Sequence, residues 1–385
     1  MAGIYVHVPF CRQACHYCDF HFSTKTSNAE GMVQAVVQEA QMRWAQSPAW
    51  HEEQFRTLYL GGGTPSLLSP ALSKTLLSGV AEACHVQLED LDEVTMEANP
   101  EDLTPAHLAA WKDAGVTRLS VGIQSFDDNT LAWMNRAHTG VQAVEGILRA
   151  NRAGFDSITV DLIYGVPTDR NWEEDVKRAL ELPVRHLSAY ALTVEPRTVL
   201  GTRVSRGDEP EPSDSRAADE YQHLCSVAAQ RGWLHYETSN WAAPLGEGEF
   251  GKALHNSSYW SGEAYLGLGP GAHGFLGGLR YANVSNNPLY LQSLNQGRLQ
   301  QTEEALSDVD RYNEQVMTGL RTALGISPEE LAQTTGHRPD EVDPRAWHHA
   351  LESGNLTPLN NGRFRVPEDR WITGDRVASS LFLVS

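Results

Sequence analysis

Gly3-Ile-Tyr-Val-His-Val-Pro-Phe-Cys-Arg-Gln-Ala-Cys-His-Tyr-Cys-Asp-Phe20 is the stretch on which the reading of this chain turns. A β-rich run, Ile4 to Val8, is stopped by Pro9, and three cysteines follow within eight residues. Cys11, Cys15 and Cys18 have the spacing C-x3-C-x2-C. Three thiolates in so short a loop can meet at one metal centre with little chain entropy lost. A closed [4Fe–4S] site takes four protein ligands, so a loop that supplies three leaves one iron open for a small molecule. The other readings are a structural zinc site completed by His16 or His21, or unpaired thiols. Zinc loops usually come as two C-x2-C pairs, which favours the open cluster.

Downstream of this loop, short β-rich runs alternate with helical stretches. The runs are Ile4–Val8, Thr57–Leu60, Glu93–Glu97, Arg118–Ile123, Ser157–Ile163 and His186–Leu192. Helical patterns fill residues 29–46, 69–84, 104–114, 139–153 and 172–182. Ser69-Pro70, Thr104-Pro105 and Asn171 read as helix starts, and Gly115 and Gly154 as helix ends. Six β-then-α units imply a parallel sheet covered by helices. Periodicity leaves two arrangements open, a doubly wound sheet and an incomplete TIM-like barrel.

The unusual polar residues fall just after the strands, where α/β folds place their sites. They are Gly61-Gly62-Gly63-Thr64-Pro65, Glu97-Ala-Asn99-Pro100, Gly122-Ile-Gln124-Ser125 with Asn135-Arg136 beyond it, and Asp161-Leu-Ile-Tyr164-Gly165-Val-Pro167. Each alone reads equally well as a cap or turn. Their succession beside a metal loop does not.

Composition narrows the function classes. The 385 residues are 41% hydrophobic and 21% charged, as in an ordinary globular protein. No apolar run approaches the ~18 residues of a membrane span. No basic residue precedes the short run Ile4–Phe10, which His7 interrupts, so a signal peptide is not expected and the cytoplasm is. Cys84 and Cys225 sit in apolar helical patterns and are expected to be buried, inert thiols. Forty-nine acidic against 30 basic residues give a net charge of −19, which repels nucleic-acid phosphates and anionic lipid. With no cluster of Lys or Arg, an RNA-modifying enzyme is disfavoured.

Taken together, the cysteine loop and the four strand-end motifs resemble the radical S-adenosylmethionine (SAM) superfamily. Tyr5-Val-His7-x-Pro9-Phe10-Cys11 and the tail motifs are similar to those of the oxygen-independent coproporphyrinogen III oxidase family. The resemblance covers nearly the whole chain. It implies a partial (β/α)6 barrel and a [4Fe–4S] cluster on Cys11, Cys15 and Cys18. The open iron chelates the amino and carboxylate groups of SAM, and electron transfer cleaves SAM to methionine and a 5′-deoxyadenosyl radical.

By position, the resemblance gives the methionyl amino group to Gly62, Gly63 and Thr64. It gives the polar ends of SAM to Glu97 and Arg136, and the ribose side to Gln124 and Asp161. Tyr5 is placed beside the cluster, and Ala191 meets the adenine by backbone contact. No separate catalytic residue is implied.

Residues 231–305 read as less regular. His255-Asn256-x-x-Tyr259-Trp260 precedes Tyr265-Leu-Gly267-Leu-Gly269-Pro270-Gly271-Ala272-His273. Imidazole suits haem iron and aromatic neighbours suit a porphyrin face, so His255 is the candidate haem ligand and His273 its competitor. Residues 306–385 read as helices, a small hairpin and a last helix, resembling a winged-helix-like domain that serves packing or partner contact. The expected division is 1–230, 231–305 and 306–385.

Two departures divide the family. Coproporphyrinogen dehydrogenases proper continue to C-x3-C-x2-C-x-C and carry an N-terminal extension; here Phe20 stands at that position and four residues precede Tyr5. Phenylalanine there, no extension, and H-N-x-x-Y-W together resemble the haem chaperone group. That group binds haem and delivers it to haem proteins, and coproporphyrinogen III oxidase is the alternative. The expected partners are SAM, haem and recipient haem proteins, with no nucleic acid and no stable membrane insertion; a homo-oligomer is left open.

Overall fold

The computed structural model describes residues 2–384. Strands β1 (Ala2–Val8), β2 (Phe55–Gly62), β3 (Glu93–Ala98), β4 (Arg118–Gln124), β5 (Ser157–Tyr164) and β6 (His186–Ala191) pair in parallel in their chain order. Helices α1 (Ala29–Gln46), α2 (Pro70–Ala83), α3 (Pro105–Asp113), α4 (Asp128–Trp133), α5 (Gly140–Arg152) and α6 (Trp172–Glu181) lie between and after them. A doubly wound sheet reverses its strand order at a switch point. This one runs β1 to β6 without reversal, so the barrel reading is the right one.

Helix starts follow the sequence. The side chains of Ser69, Thr104, Thr139 and Asn171 each accept a backbone N–H three residues on. Each such cap contributes about 1 kcal/mol.

The strands alternate strictly. Ile4, Val6, Leu58, Leu60, Val94, Met96, Leu119, Val121, Ile158, Val160 and Leu187 are fully buried and share one core with the helix residues Leu77, Val80, Trp111, Ile147 and Val176. The intervening positions carry Tyr5, Tyr59, Glu97, Arg118, Ser120, Thr159, Asp161, His186 and Ser188, all bordering a single cavity of about 810 Å³. A closed TIM barrel fills its interior with branched apolar side chains. Here polar residues point inward and leave room for a ligand.

Two helices, α7 (Val199–Arg206) and α8 (Asp214–Gln230), lead into the stretch expected to be irregular. That expectation is corrected. It carries β7 (Leu234–Glu237), β8 (Asn240–Ala242), β9 (Pro244–Gly246), β10 (Glu249–Phe250), α9 (Leu254–Trp260), β11 (Ala264–Leu268), β12 (His273–Leu276), β13 (Leu279–Asn283), α10 (Asn287–Asn295) and β14 (Gln301–Ala305). Strands β8 and β7 extend the sheet antiparallel beyond β6. At the other edge β11 pairs parallel with β1, and β12 to β14 follow. The sheet order is β14-β13-β12-β11-β1-β2-β3-β4-β5-β6-β8-β7, with both ends unpaired, so the barrel is open. Strands of two to five residues are too short to show a period; β11 and β8 form because β1 and β6 offer free edges, and β9 pairs only with β10 in a separate hairpin.

The C-terminal part has α11 (Asp308–Leu320), α12 (Pro328–Thr335), α13 (Pro339–Val342), α14 (Pro344–Glu352), the hairpin β15 (Thr357–Pro358) and β16 (Phe364–Arg365), then α15 (Gly374–Ser380). This is the expected order of helices, hairpin and helix. It joins the barrel through His235, which stacks on Trp241, meets Trp371 edge-on and bonds Glu368 at 3.0 Å. Among the described residues no helix is long and apolar enough to cross a membrane.

Candidate functional site

The cysteine loop leaves β1 at Val8 and is pinned at its base. Cys11 N–H donates to Ser23 O at 3.1 Å, and Ser23 N–H to Pro9 O at 2.9 Å. The far side is braced by the turn after α4. Asn135 Nδ2 donates to Ala14 O at 2.6 Å, Gln13 Nε2 to Asn135 O at 2.7 Å, and His16 N–H to Met134 O at 3.1 Å. Asn135 takes a left-handed backbone, φ +59°, to make this brace. The backbone is held and the thiols are left half-buried.

Those thiols have few partners. Thr64 Oγ1 lies 3.5 Å from Cys11 Sγ, and Arg136 Nη1 lies 3.4 Å from Cys15 Sγ. Burial pushes the Cys11 thiol up to about 11 and raises Cys18 as well, so a bound metal must displace their protons. A zinc site would need His16 or His21 beside the thiols. His16 Nδ1 bonds Trp133 O and His21 Nε2 bonds Asn287 Oδ1, both at 2.7 Å, so each ring keeps one nitrogen open. Among the described residues, no three His, Cys, Asp or Glu side chains converge as ligands of one ion do. A cubane takes each thiolate at a different iron, so it does not require that convergence. The buried Arg136 guanidinium, with Nε unpartnered, adds a fixed cation beside the sulfurs. These residues fit an open [4Fe–4S] cluster.

The strand ends beside the loop supply the rest. A β-carbon on Gly62, whose φ is +106°, would lie 2.5 Å from the His7 ring, and one on Gly63 would lie 2.6 Å from Phe10 O. The glycines therefore let β2 end directly against the cysteine loop. Gly63 N–H is committed to Val8 O at 2.9 Å, which leaves carbonyl oxygens and the Thr64 hydroxyl to receive an ammonium group.

Glu97 accepts from Tyr59 OH at 2.7 Å and from Gly62 N–H at 3.1 Å, and burial pushes its carboxyl up to about 7. Arg136 Nη2 donates to Asn99 Oδ1 at 2.6 Å and Gly122 O at 2.7 Å. Gln124 sits in a bulge of the β4–β5 ladder with φ +70°, a costly conformation for glutamine that turns it to the cavity. Burial lifts Asp161 to about 6, with Ser120 Oγ at 3.5 Å. Ala191 closes β6 at the same rim.

The cavity thus brings together Tyr5, Cys11, Cys15, Cys18, Gly62, Gly63, Thr64, Glu97, Gln124, Arg136, Asp161, Ala191 and His255. The Tyr5 ring stacks with Tyr59 and its hydroxyl bonds His7 Nδ1 at 3.2 Å.

His255 does not offer the free imidazole that the sequence reading expects. It is 1% exposed, Nδ1 meets Thr57 Oγ1 at 2.7 Å and Nε2 meets Tyr259 OH at 2.9 Å. Tyr59 stacks on its ring at 5.0 Å, and burial depresses the imidazole to about 3. The residues sequence reasoning missed lie deeper, on β4, β6 and β8: Arg118, His186 and Asn240. His186 Nδ1 and Asn240 Oδ1 have no protein partner. The signal was available, since Arg118-x-Ser120, Thr159-x-Asp161 and His186-x-Ser188 put polar residues at every second position of otherwise apolar strands.

Comparison with known proteins adds lineage to this geometry. The family model of the radical SAM superfamily matches residues 5–180, and that of the HemN C-terminal domain matches 306–369. The protein named "Heme chaperone HemW" of Lactococcus lactis is 37% identical over 331 residues, covering 85% of this chain and 83% of its own. Its namesake in Bacillus subtilis is 33% identical over 358 residues, 92% of each. The solved coproporphyrinogen III oxidase (HemN) from Escherichia coli, a radical SAM enzyme, aligns over 99% of this chain and 90% of its own with a TM-score of 0.82. At 21% identity that likeness is one of fold. An open polar barrel with a three-cysteine loop whose thiols keep only long contacts, and kinship along nearly its whole length, place the chain in the heme chaperone HemW family of the radical SAM superfamily.

Proposed function

We propose that this protein is a haem chaperone: it binds haem and passes it to haem proteins, and it carries a [4Fe–4S] cluster on Cys11, Cys15 and Cys18 with SAM at the remaining iron. The observation that carries the reading is Phe20. Where the dehydrogenases that this chain resembles have a further cysteine, it has a phenyl ring that is 71% exposed at the cavity mouth. A radical enzyme must keep water from its intermediate. An exposed ring at an open mouth suits the docking of an apolar macrocycle instead.

When bound, the cluster supplies the electron that cleaves SAM. The chain's own residues hold and orient. Gly62, Gly63 and Thr64 face the amino group with oxygen acceptors, and Glu97 completes that pole once ionised. Arg136 stays charged between Cys15, Asn99 and Gly122 and takes the carboxylate end. Gln124 and Asp161 meet the ribose, and Ala191 offers backbone to the adenine.

Coproporphyrinogen III oxidase is the competing reading, supported by the shared fold. Incubation of the reconstituted protein with coproporphyrinogen III, SAM and reductant separates the two. No porphyrinogen conversion, together with a Soret band on haem titration, is expected. Turnover clearly above a no-protein control would overturn the chaperone reading.

A further inference from the structure

We propose that haem docks on the barrel rim outside the cavity, with the His273 imidazole as its iron ligand and Phe20 as its apolar contact. The proposal rests on the haem-chaperone reading and names the site within it.

A haem ligand needs a nitrogen with its lone pair unspent. His255 has neither nitrogen free without breaking a bond to Thr57 or Tyr259. His273 is the reverse case: it is exposed, and its ring makes no hydrogen bond among the described residues.

Its backbone is nevertheless fixed. As the first residue of β12 it pairs with Ala282, and its carbonyl is pressed so close to Gly267 that a β-carbon there would sit 1.7 Å away. The turn before it is held by a buried network. Glu39 Oε2 accepts Gly269 N–H at 2.7 Å and Tyr290 OH at 2.6 Å, and Glu39 Oε1 accepts Arg43 Nε at 2.7 Å. Asn283 Nδ2 donates to Gly269 O at 2.8 Å, and Asn283 N–H to Ala272 O at 2.8 Å. A free ring on a rigid base is pre-organised to bind.

The same turn lies against the cysteine loop. A β-carbon on Gly271 would be 3.2 Å from His21 Cβ, and the rings of His7 and His21 lie 6.1 Å apart. Phe20 immediately precedes His21 and is the most exposed aromatic side chain among the described residues. An imidazole and a phenyl ring on one rim supply what haem asks for, a ligand for the iron and a flat apolar surface for the macrocycle. Docked there, haem leaves the cavity to SAM and stays within reach of a receiving protein.

Ferric haem is titrated by absorbance into the full-length, cluster-reconstituted protein and its variants, with iron content confirming that each variant has folded. His273→Ala should lose about tenfold or more in affinity and shift the Soret band, and added imidazole should restore the band. Phe20→Ser should weaken binding by about threefold to tenfold, the expected cost of one partly buried ring. Wild-type affinity and spectrum in His273→Ala overturn the proposal. So does a Soret shift in His255→Ala but not in His273→Ala. If the wild-type protein binds no haem at all, the chaperone reading itself falls.

Discussion

The cysteine loop and helix α9 carry the two most suggestive side-chain sets in the molecule, and the fold treats them in opposite ways. Around the loop the main chain is held by Ser23, Pro9, Asn135 and Met134 while the thiols keep only long contacts at 3.4 and 3.5 Å. In α9 it is the histidine that is spent. Glu93 accepts the backbone N–H groups of Leu254 and His255, each at 3.0 Å, and both imidazole nitrogens of His255 are satisfied within the protein, while Asn256 Nδ2 and Trp260 Nε1 have no partner among the described residues. A residue type suited to a ligand becomes a ligand site only where the fold fixes its backbone and leaves its valence unused. By that measure the loop is a binding element and His255 is part of the wall.

The largest test of this contrast is at the loop. Cys11→Ala, Cys15→Ala and Cys18→Ala should each abolish stable iron uptake on anaerobic reconstitution. Cys84→Ala, in the apolar core just after α2, should keep it. Iron retained after loss of a loop cysteine would break the comparison from one side.

Next is the wall. Glu93→Gln uncouples α9 and leaves Arg118, 3.6 Å away and buried, without its carboxylate. Breaking such a buried pair costs about 3–5 kcal/mol, read as a lower melting temperature, while iron uptake survives. Thr57→Val strands His255 Nδ1 and should cost about 1–3 kcal/mol. A Thr57→Val protein as stable as wild type would mean that the His255 bond is idle and the ring free.

A gentler probe is pH. Burial raises Glu97 from 4.5 to about 7 and Asp161 from 3.8 to about 6. Groups whose folded pKa is raised contribute stability below their unfolded pKa and lose it as pH climbs through the folded one. In the SAM-free protein the contribution of these two carboxyls should therefore fall between about pH 4 and pH 7, opposite in sign to that of the buried His7 and His255 imidazoles, and the difference between wild type and Glu97→Gln across this range isolates the Glu97 part. The smallest expected effect is on the surface. Phe20→Ser should change stability by no more than about 0.5 kcal/mol, whatever it does to haem binding.

Much of this architecture was legible in residues alone. The six parallel strands and their helices stand where the runs placed them, because strands packed under helices must carry apolar residues at every second position. Ser69, Thr104 and Asn171 cap the helices they appeared to start. The short strands of residues 231–305 were not legible. Two to five residues carry no measurable period, and the pairing of β11 and β8 depends on edges left by β1 and β6, far away in sequence.

What the sequence determined by itself was local and chemical: the cysteine spacing, the glycines after β2, the carboxylates at the ends of β3 and β5, and the alternation that makes a covered parallel sheet. These follow from residue identity and neighbours a few positions away. What only the tertiary structure decided was which of those groups are free. Thr57 lies 198 residues from His255, and Glu39 lies 230 from Gly269, yet these contacts close one imidazole and hold another open to solvent. Hydrogen-bond capacity is filled by whatever the fold brings near, and a motif does not record its own partners.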